Sequence, residues 1–144
     1  MGLPNGGLIF DRSGNLYGST TTYGSGGGGT AFELVPSSGN WTFSLLYSFG
    51  EYINSGGPYG SLTMDAADNL YGTTLEDGAY GYGSVFKLTP SSGSWTYTSL
   101  HDFTGGSDGG YPWGNVVFDM NGNIYSTTWL GGTHGAGVVF EITP

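Results

Sequence analysis

Short apolar runs, each the length of a strand, return along this chain at one fixed interval. Leu8 and Phe10, Leu62 and Met64, and Val116 and Phe118 lie two residues apart, so each pair faces one side of an extended segment. A second run follows each pair: Asn15-Leu16-Tyr17-Gly18-Ser19-Thr20, Asn69-Leu70-Tyr71-Gly72-Thr73-Thr74 and Asn123-Ile124-Tyr125-Ser126-Thr127-Thr128. The asparagines at 15, 69 and 123 are 54 residues apart, without an insertion.

The second copy reads most clearly as four strands. Residues 60–65 and 69–74 form a hairpin across Ala66-Ala67-Asp68, with Gly or Asp where a positive φ is wanted, as in Arg12-Ser13-Gly14 and Met120-Asn121-Gly122. Residues 83–89 make a third strand closed by Pro90. Ser91-Ser92-Gly93-Ser94 turns the chain into a fourth, 95–103. Phe32, Phe86 and Phe140 mark the third strands; Pro36, Pro90 and Pro144 end them, and Trp41 and Trp95 open the fourth.

Composition agrees with an all-β chain. Thirty glycines among 144 residues disfavour helix, while Tyr, Phe, Trp, Thr and Val favour strands. A meander of four antiparallel strands exposes apolar groups on both faces. Copies stacked face to face would bury Leu8, Phe10, Leu62, Met64, Val116 and Phe118 with Phe32, Phe86 and Phe140, which is the logic of a β-propeller blade. A parallel β-helix, which needs shorter coils and no hairpins, ranks below it. The expected division is blade 1 over 4–57, blade 2 over 58–111 and a partial blade 3 over 112–144.

The motif Asp-x-x-Gly-Asn-Leu-Tyr-Gly-Thr-Thr, a glycine-rich loop, Val-Phe-x-Leu-x-Pro, Ser-Gly-x-Trp-Thr and a Pro-led return resemble the tandem repeat known as the Gloeo_Verruco or GloVer repeat. That repeat is similar in its turn to the six-bladed NHL and gluconolactonase-like propellers. The resemblance covers essentially the whole chain, departing at Asp68 and Ser126, where the pattern has Gly. It implies a β-propeller, often in exported bacterial proteins, and brings no activity or catalytic residues with it.

A formal charge of −9, with Arg12 and Lys87 the only cationic side chains, argues against nucleic-acid and anionic-membrane partners. No apolar run approaches the ~20 residues of a membrane helix. Cysteine is absent, so disulfide and thiolate chemistry are unavailable, and neither cofactor nor metal is expected. The low Lys content, the Gly, Ser, Thr and Tyr, and the acidity suit an extracellular or cell-surface protein. Met1-Gly2 runs directly into repeat sequence, as expected of a trimmed or processed chain.

With four, four and three strands, the expected ring is incomplete. The reading favoured is a homo-oligomer, two chains closing six blades, with Val138-Val139-Phe140-Glu141-Ile142 an edge open to another strand.

The long second-to-third and fourth-to-first loops share one edge of the meander, where binding residues are expected. Asp11, Asp65 and Asp119 recur in every copy and read as turn residues accepting backbone N–H groups; a calcium site is the alternative. Asn5, Tyr59 and Trp113 differ in one shared slot beside the innermost strand. Around it lie Tyr23, Glu51, Tyr52, Asn54, Glu76, Asp77, Tyr80, Tyr82, Asp108, Tyr111, Trp129 and His134. Aromatic faces beside carboxylates and amides suit sugar rings, so carbohydrate is the ligand class expected; the competing reading has the tyrosines covering glycine-rich loops or filling a subunit contact. The third possibility, a glycoside-processing enzyme, would need a carboxylate pair from Glu51, Glu76, Asp77 and Asp108, and no nucleophile motif supports it. His101, in place of Tyr47, reads as a strand residue.

Overall fold

The computed structural model describes residues 2–50 and 56–143. It is all-β, with three four-stranded antiparallel sheets taken in chain order. The first contains β1 (Ile9–Phe10), β2 (Leu16–Thr20), β3 (Thr30–Ser37) and β4 (Asn40–Ser48). The second repeats it as β5 (Thr63–Met64), β6 (Leu70–Thr74), β7 (Ser84–Ser91) and β8 (Ser94–Asp102). The third is built from β9 (Gly110–Pro112), β10 (Val117–Phe118), β11 (Ile124–Leu130) and β12 (Val139–Ile142). Its order is β10-β11-β12, and β9 pairs with the far half of β11.

The hairpins follow from local chemistry. Ser38 and Gly39, with φ of 46° and 85°, and Ser92 and Gly93, with 38° and 86°, form two-residue turns whose paired positive φ matches the twist of the strands they join. At the first hairpin of each sheet, Gly14, Asp68 and Gly122 take the left-handed position, so Asp68 replaces glycine without changing the turn. Asp11 secures that turn from inside. Its Oδ1 accepts the N–H groups of Ser13 and Asn15, both at 2.8 Å, and its Oδ2 accepts Asn15 Nδ2 at 2.8 Å and Tyr17 Oη at 3.3 Å. Asp65 and Asp119 repeat the arrangement with Ala67, Asn69 and Tyr71 and with Asn121, Asn123 and Tyr125.

Two cores lie between the sheets. Alternation along the second sheet sends Leu70, Phe86 and Leu88 toward Tyr17, Ala31 and Phe49 of the first. It sends Tyr71 and Val85, with Phe103 beyond β8, toward Val116 and Ile124 of the third.

Three expectations change. Leu62 and Val116 are buried, but Leu8 and Phe10 are 53% and 65% exposed, because among the described residues no sheet covers the outer face of the first one. The prolines do not end their strands: β3 and β7 continue through Pro36 and Pro90 to Ser37 and Ser91. The inner neighbours β2 and β6 have already stopped opposite Leu34 and Leu88, and a free edge tolerates a residue without an N–H. Pro144 lies outside the described residues. Finally, the innermost strand is interrupted: Pro58 bridges Thr74 and Thr63–Met64 pairs with β6, while 59–62 swing out of the ladder.

Candidate functional site

These interruptions build the inner edge of the molecule. Asn5-Gly6-Gly7, Tyr59-Gly60-Ser61 and Trp113-Gly114-Asn115 step across the three sheets and bond to one another. The Gly7 N–H donates to Ser61 Oγ and the Ser61 N–H to Asn115 Oδ1, both at 2.6 Å and both spanning 54 residues. Thr73 Oγ1 donates to the Gly114 carbonyl at 3.1 Å, and Thr63 Oγ1 to that of Val116 at 2.7 Å. Glycine permits this approach: a Cβ on Gly6 would lie 2.6 Å from the Gly60 carbonyl oxygen, and one on Gly60 would lie 2.9 Å from Asn115 Oδ1.

Tyr59 and Trp113, equivalent residues of successive repeats, therefore meet directly, with ring centroids 5.0 Å apart at 61°. The contact continues from Trp113 to Trp129 at 5.9 Å and 90°, from Trp129 to Tyr111 at 6.5 Å and 74°, and from Tyr111 to Tyr82 at 5.5 Å and 73°. Five rings thus run edge to face along one edge of the second and third sheets. Trp113 and Trp129 remain 50% and 60% exposed. Tyr111 is held at φ 55°, a region side-chain-bearing residues rarely occupy, and its N–H donates to the Tyr82 carbonyl at 2.7 Å.

The other expected residues divide by what they touch. Asp108 closes the loop after β8: its Oδ2 accepts the Thr104 N–H at 2.9 Å, its Oδ1 the Thr104 hydroxyl, and His101 Nε2 lies 3.3 Å from its Oδ2. Burial pushes its carboxyl up, but these bonds outweigh that and hold it below the ordinary value. Tyr82 rests on Gly105 of the same loop, so this turn supports the aromatic row. Asp77 accepts the Gly50 N–H at 3.3 Å and that of Gly78 at 2.9 Å, tying the exit of the first sheet to the second. The Glu76 backbone N–H bonds the Gly56 carbonyl. Asn5, Tyr23, Tyr80 and His134 are exposed and stand apart from the row; His134 Nδ1 is paired only with its neighbour Thr133 at 3.0 Å. Glu51, Tyr52 and Asn54 lie outside the described residues.

The turn aspartates show the chemistry of anion acceptors. Burial pushes Asp11 and Asp65 up, but the hydrogen bonds from Asn15 and Asn69, from backbone N–H groups and from the tyrosines leave both carboxyls below the ordinary range. Their oxygens face N–H and O–H donors, an arrangement that serves the turn and is opposite in character to an oxygen cage for a cation. Burial, and then the bond to Asp65, pushes the Tyr71 hydroxyl up to about 12.

Sequence reasoning missed Ser61 and Asn115. Their signal was present as a disagreement, since Gly7, Ser61 and Asn115 share one slot of the repeat, but nothing in the sequence told that an adjoining repeat would supply the donor.

A family model described as the Gloeobacter/Verrucomicrobia repeat matches residues 1–144. No curated protein matches the chain.

Proposed function

Taking as premise that the chain belongs to the Gloeobacter/Verrucomicrobia repeat family, we propose that it is a non-enzymatic scaffold whose three sheets are consecutive blades of a β-propeller and whose loop edge binds carbohydrate. The observation that carries this reading is the row Tyr59-Trp113-Trp129-Tyr111-Tyr82, in which Trp113, Trp129 and Tyr82 are exposed and Tyr59 and Tyr111 half-buried. Half-exposed indole faces held by neighbouring rings and a strained backbone are pre-organised for the C–H faces of sugars, and little ordering is required on binding. Asp77 and Asp108 are engaged in loop hydrogen bonds, which favours binding over acid–base chemistry. An acidic, cysteine-free chain of this kind is proposed to work outside the cell.

A glycan array followed by calorimetry on the best hit tests the reading. Trp113→Ala and Trp129→Ala should each weaken binding by about tenfold or more, as removal of a stacking ring does. Silence across a broad array, with the protein folded, would end it.

A second reading, self-assembly, is favoured by the outer face of the first sheet. Leu8, Phe10, Phe43 and Leu45 are exposed there, and Phe32 stacks on Phe43 at 5.8 Å. Leu62 and Phe86, the equivalents of Leu8 and Phe32, are covered by the preceding sheet, so a second copy presenting its third sheet, with exposed Val117 and Val139, would fit head to tail. Two copies would then form a six-bladed ring. A folded, strictly monomeric 15.0 kDa species in solution would overturn this arrangement.

A further inference from the structure

The row Tyr59-Trp113-Trp129-Tyr111-Tyr82 has a length, a twist and a charge, and each limits what it can hold. Among the five rings, contact runs only between neighbours, at successive centroid distances of 5.0, 5.9, 6.5 and 5.5 Å. The rings are therefore strung out, and each step is close to the advance of one unit in an extended glycan. From Tyr82, in the loop before β7, the string passes Tyr111 in β9 and reaches Trp129 in β11 and Trp113 just after β9. It thus bridges the second and third sheets.

Interplanar angles of 61°, 90°, 74° and 73° turn each ring out of the plane of the next. Such a row does not match the flat face of a crystalline polysaccharide, which needs coplanar rings; it suits a single chain whose units rotate about their linkages. The tyrosine hydroxyls bonded to carboxylates are those of Tyr17, Tyr71 and Tyr125, at the turns. Among the described residues none of the hydroxyls or indole N–H groups of the row has such a bond, so they offer donors to an acceptor-rich ligand. No cationic side chain belongs to the row: Arg12 lies in the first turn, and Lys87 Nζ sits over the Tyr71 ring at 5.5 Å. The loop under Tyr82 is closed by the Asp108 carboxylate, and the chain carries −9, so an anionic ligand is repelled.

We infer that the row holds a single, neutral, linear glycan chain of about four sugar units or more, running from Trp113 over Trp129 to Tyr82. This rests on the carbohydrate reading above and adds to it the length, charge and physical form of the ligand. Trp113 and Trp129 are adjacent and take consecutive units. Tyr82 stands two steps beyond Trp129 and takes a later one, with half-buried Tyr111 keeping the spacing between them. Each further unit gains contact with a ring already fixed by its neighbours, so affinity grows with chain length until the row is covered.

The test titrates the whole chain by calorimetry with soluble cello-, manno-, xylo- and N-acetylchito-oligosaccharides of one to six units. In a series that binds, the hexasaccharide should bind about tenfold more tightly than the disaccharide. Tyr82→Leu, which keeps an apolar contact on Gly105, should weaken the hexasaccharide by about tenfold and leave the disaccharide unchanged, so the disaccharide also reports that the fold is intact. Hexagalacturonate, and crystalline cellulose and chitin in suspension, should be bound about tenfold more weakly than the best soluble neutral chain. A monosaccharide bound as tightly as the hexasaccharide, a Tyr82→Leu loss equal at both lengths, or equal binding of the uronate or of a crystalline surface overturns this inference and leaves the carbohydrate reading standing. Silence of every series, with the protein folded, ends both.

Discussion

Phe86 and Phe32 hold the same place in the repeat and have opposite surroundings. Phe86 is fully buried, with Phe49 at 4.8 Å from the sheet before it; Phe32 lies on the open side of the first sheet, where its aromatic partner is Phe43 of its own sheet. The strands, turns and bulge around the two rings are the same, with the register shift falling between Ala31 and Phe32 and again between Val85 and Phe86. Local sequence therefore builds the sheet, and the neighbouring sheet decides what a side chain is worth.

The sharpest way to break that comparison is to delete both rings. Phe86→Ala should cost about 3–5 kcal/mol in chemical denaturation, and Phe32→Ala less than half as much in the isolated chain. If the chains associate through the open face, the Phe32 cost should rise toward that of Phe86 as protein concentration is raised.

A smaller effect is expected where the sheets touch by backbone. Gly60→Ala would place a Cβ against Asn115 and the Gly114 backbone and should destabilise by about 1–3 kcal/mol. At Gly7 a Cβ would meet mainly the movable Ser61 hydroxyl, so Gly7→Ala should cost less; equal losses would contradict the close seam described above.

Smaller again is the contribution of the turn carboxylates. Asp65→Ala should remove about 1 kcal/mol, the usual scale for a side chain that caps backbone N–H groups. Because the folded Asp11 and Asp65 carboxyls lie below 3.8, their stabilisation is present above that pH and is lost as pH falls through their lower folded values. Tyr71 acts at the other end. With its hydroxyl pushed from 10.0 to about 12, its share is intact below pH 10 and declines between 10 and 12. Urea midpoints measured from about pH 2 to pH 12 should show both shoulders, and Asp65→Ala should reduce both, since it is the carboxylate that holds Tyr71. The smallest change belongs to Trp129→Ala, whose side chain is mostly in solvent; stability should move by no more than about 0.5 kcal/mol.

These contrasts also explain what was legible in the sequence. The hairpins were, because Gly14, Asp68 and Gly122 mark positive φ and Asp11, Asp65 and Asp119 carry their acceptors to the same place in each turn. The aromatic row was legible as a set of neighbouring loops, though not as one string: Tyr80 and His134 looked equal to Tyr82 and Trp129 until the loops were folded. The broken innermost strand was not legible. Residues 60–65 alternate well enough to continue, but 59–62 leave the ladder where Gly6 and Gly60 let adjoining backbones come closer than straight strands would. Nor does Leu8 differ from Leu62 in any local respect; their exposure depends on what lies beyond the sheet.

The seam at the inner edge has a further consequence. Both of its 54-residue bonds run in one sense, from the backbone N–H of an earlier repeat to the side chain of the later one. The stack consequently has polarity, as a screw has a thread. A unit added after the third repeat can continue the pattern only by the same rotation and advance; ahead of the first repeat, Gly7 offers no side chain to accept the bond.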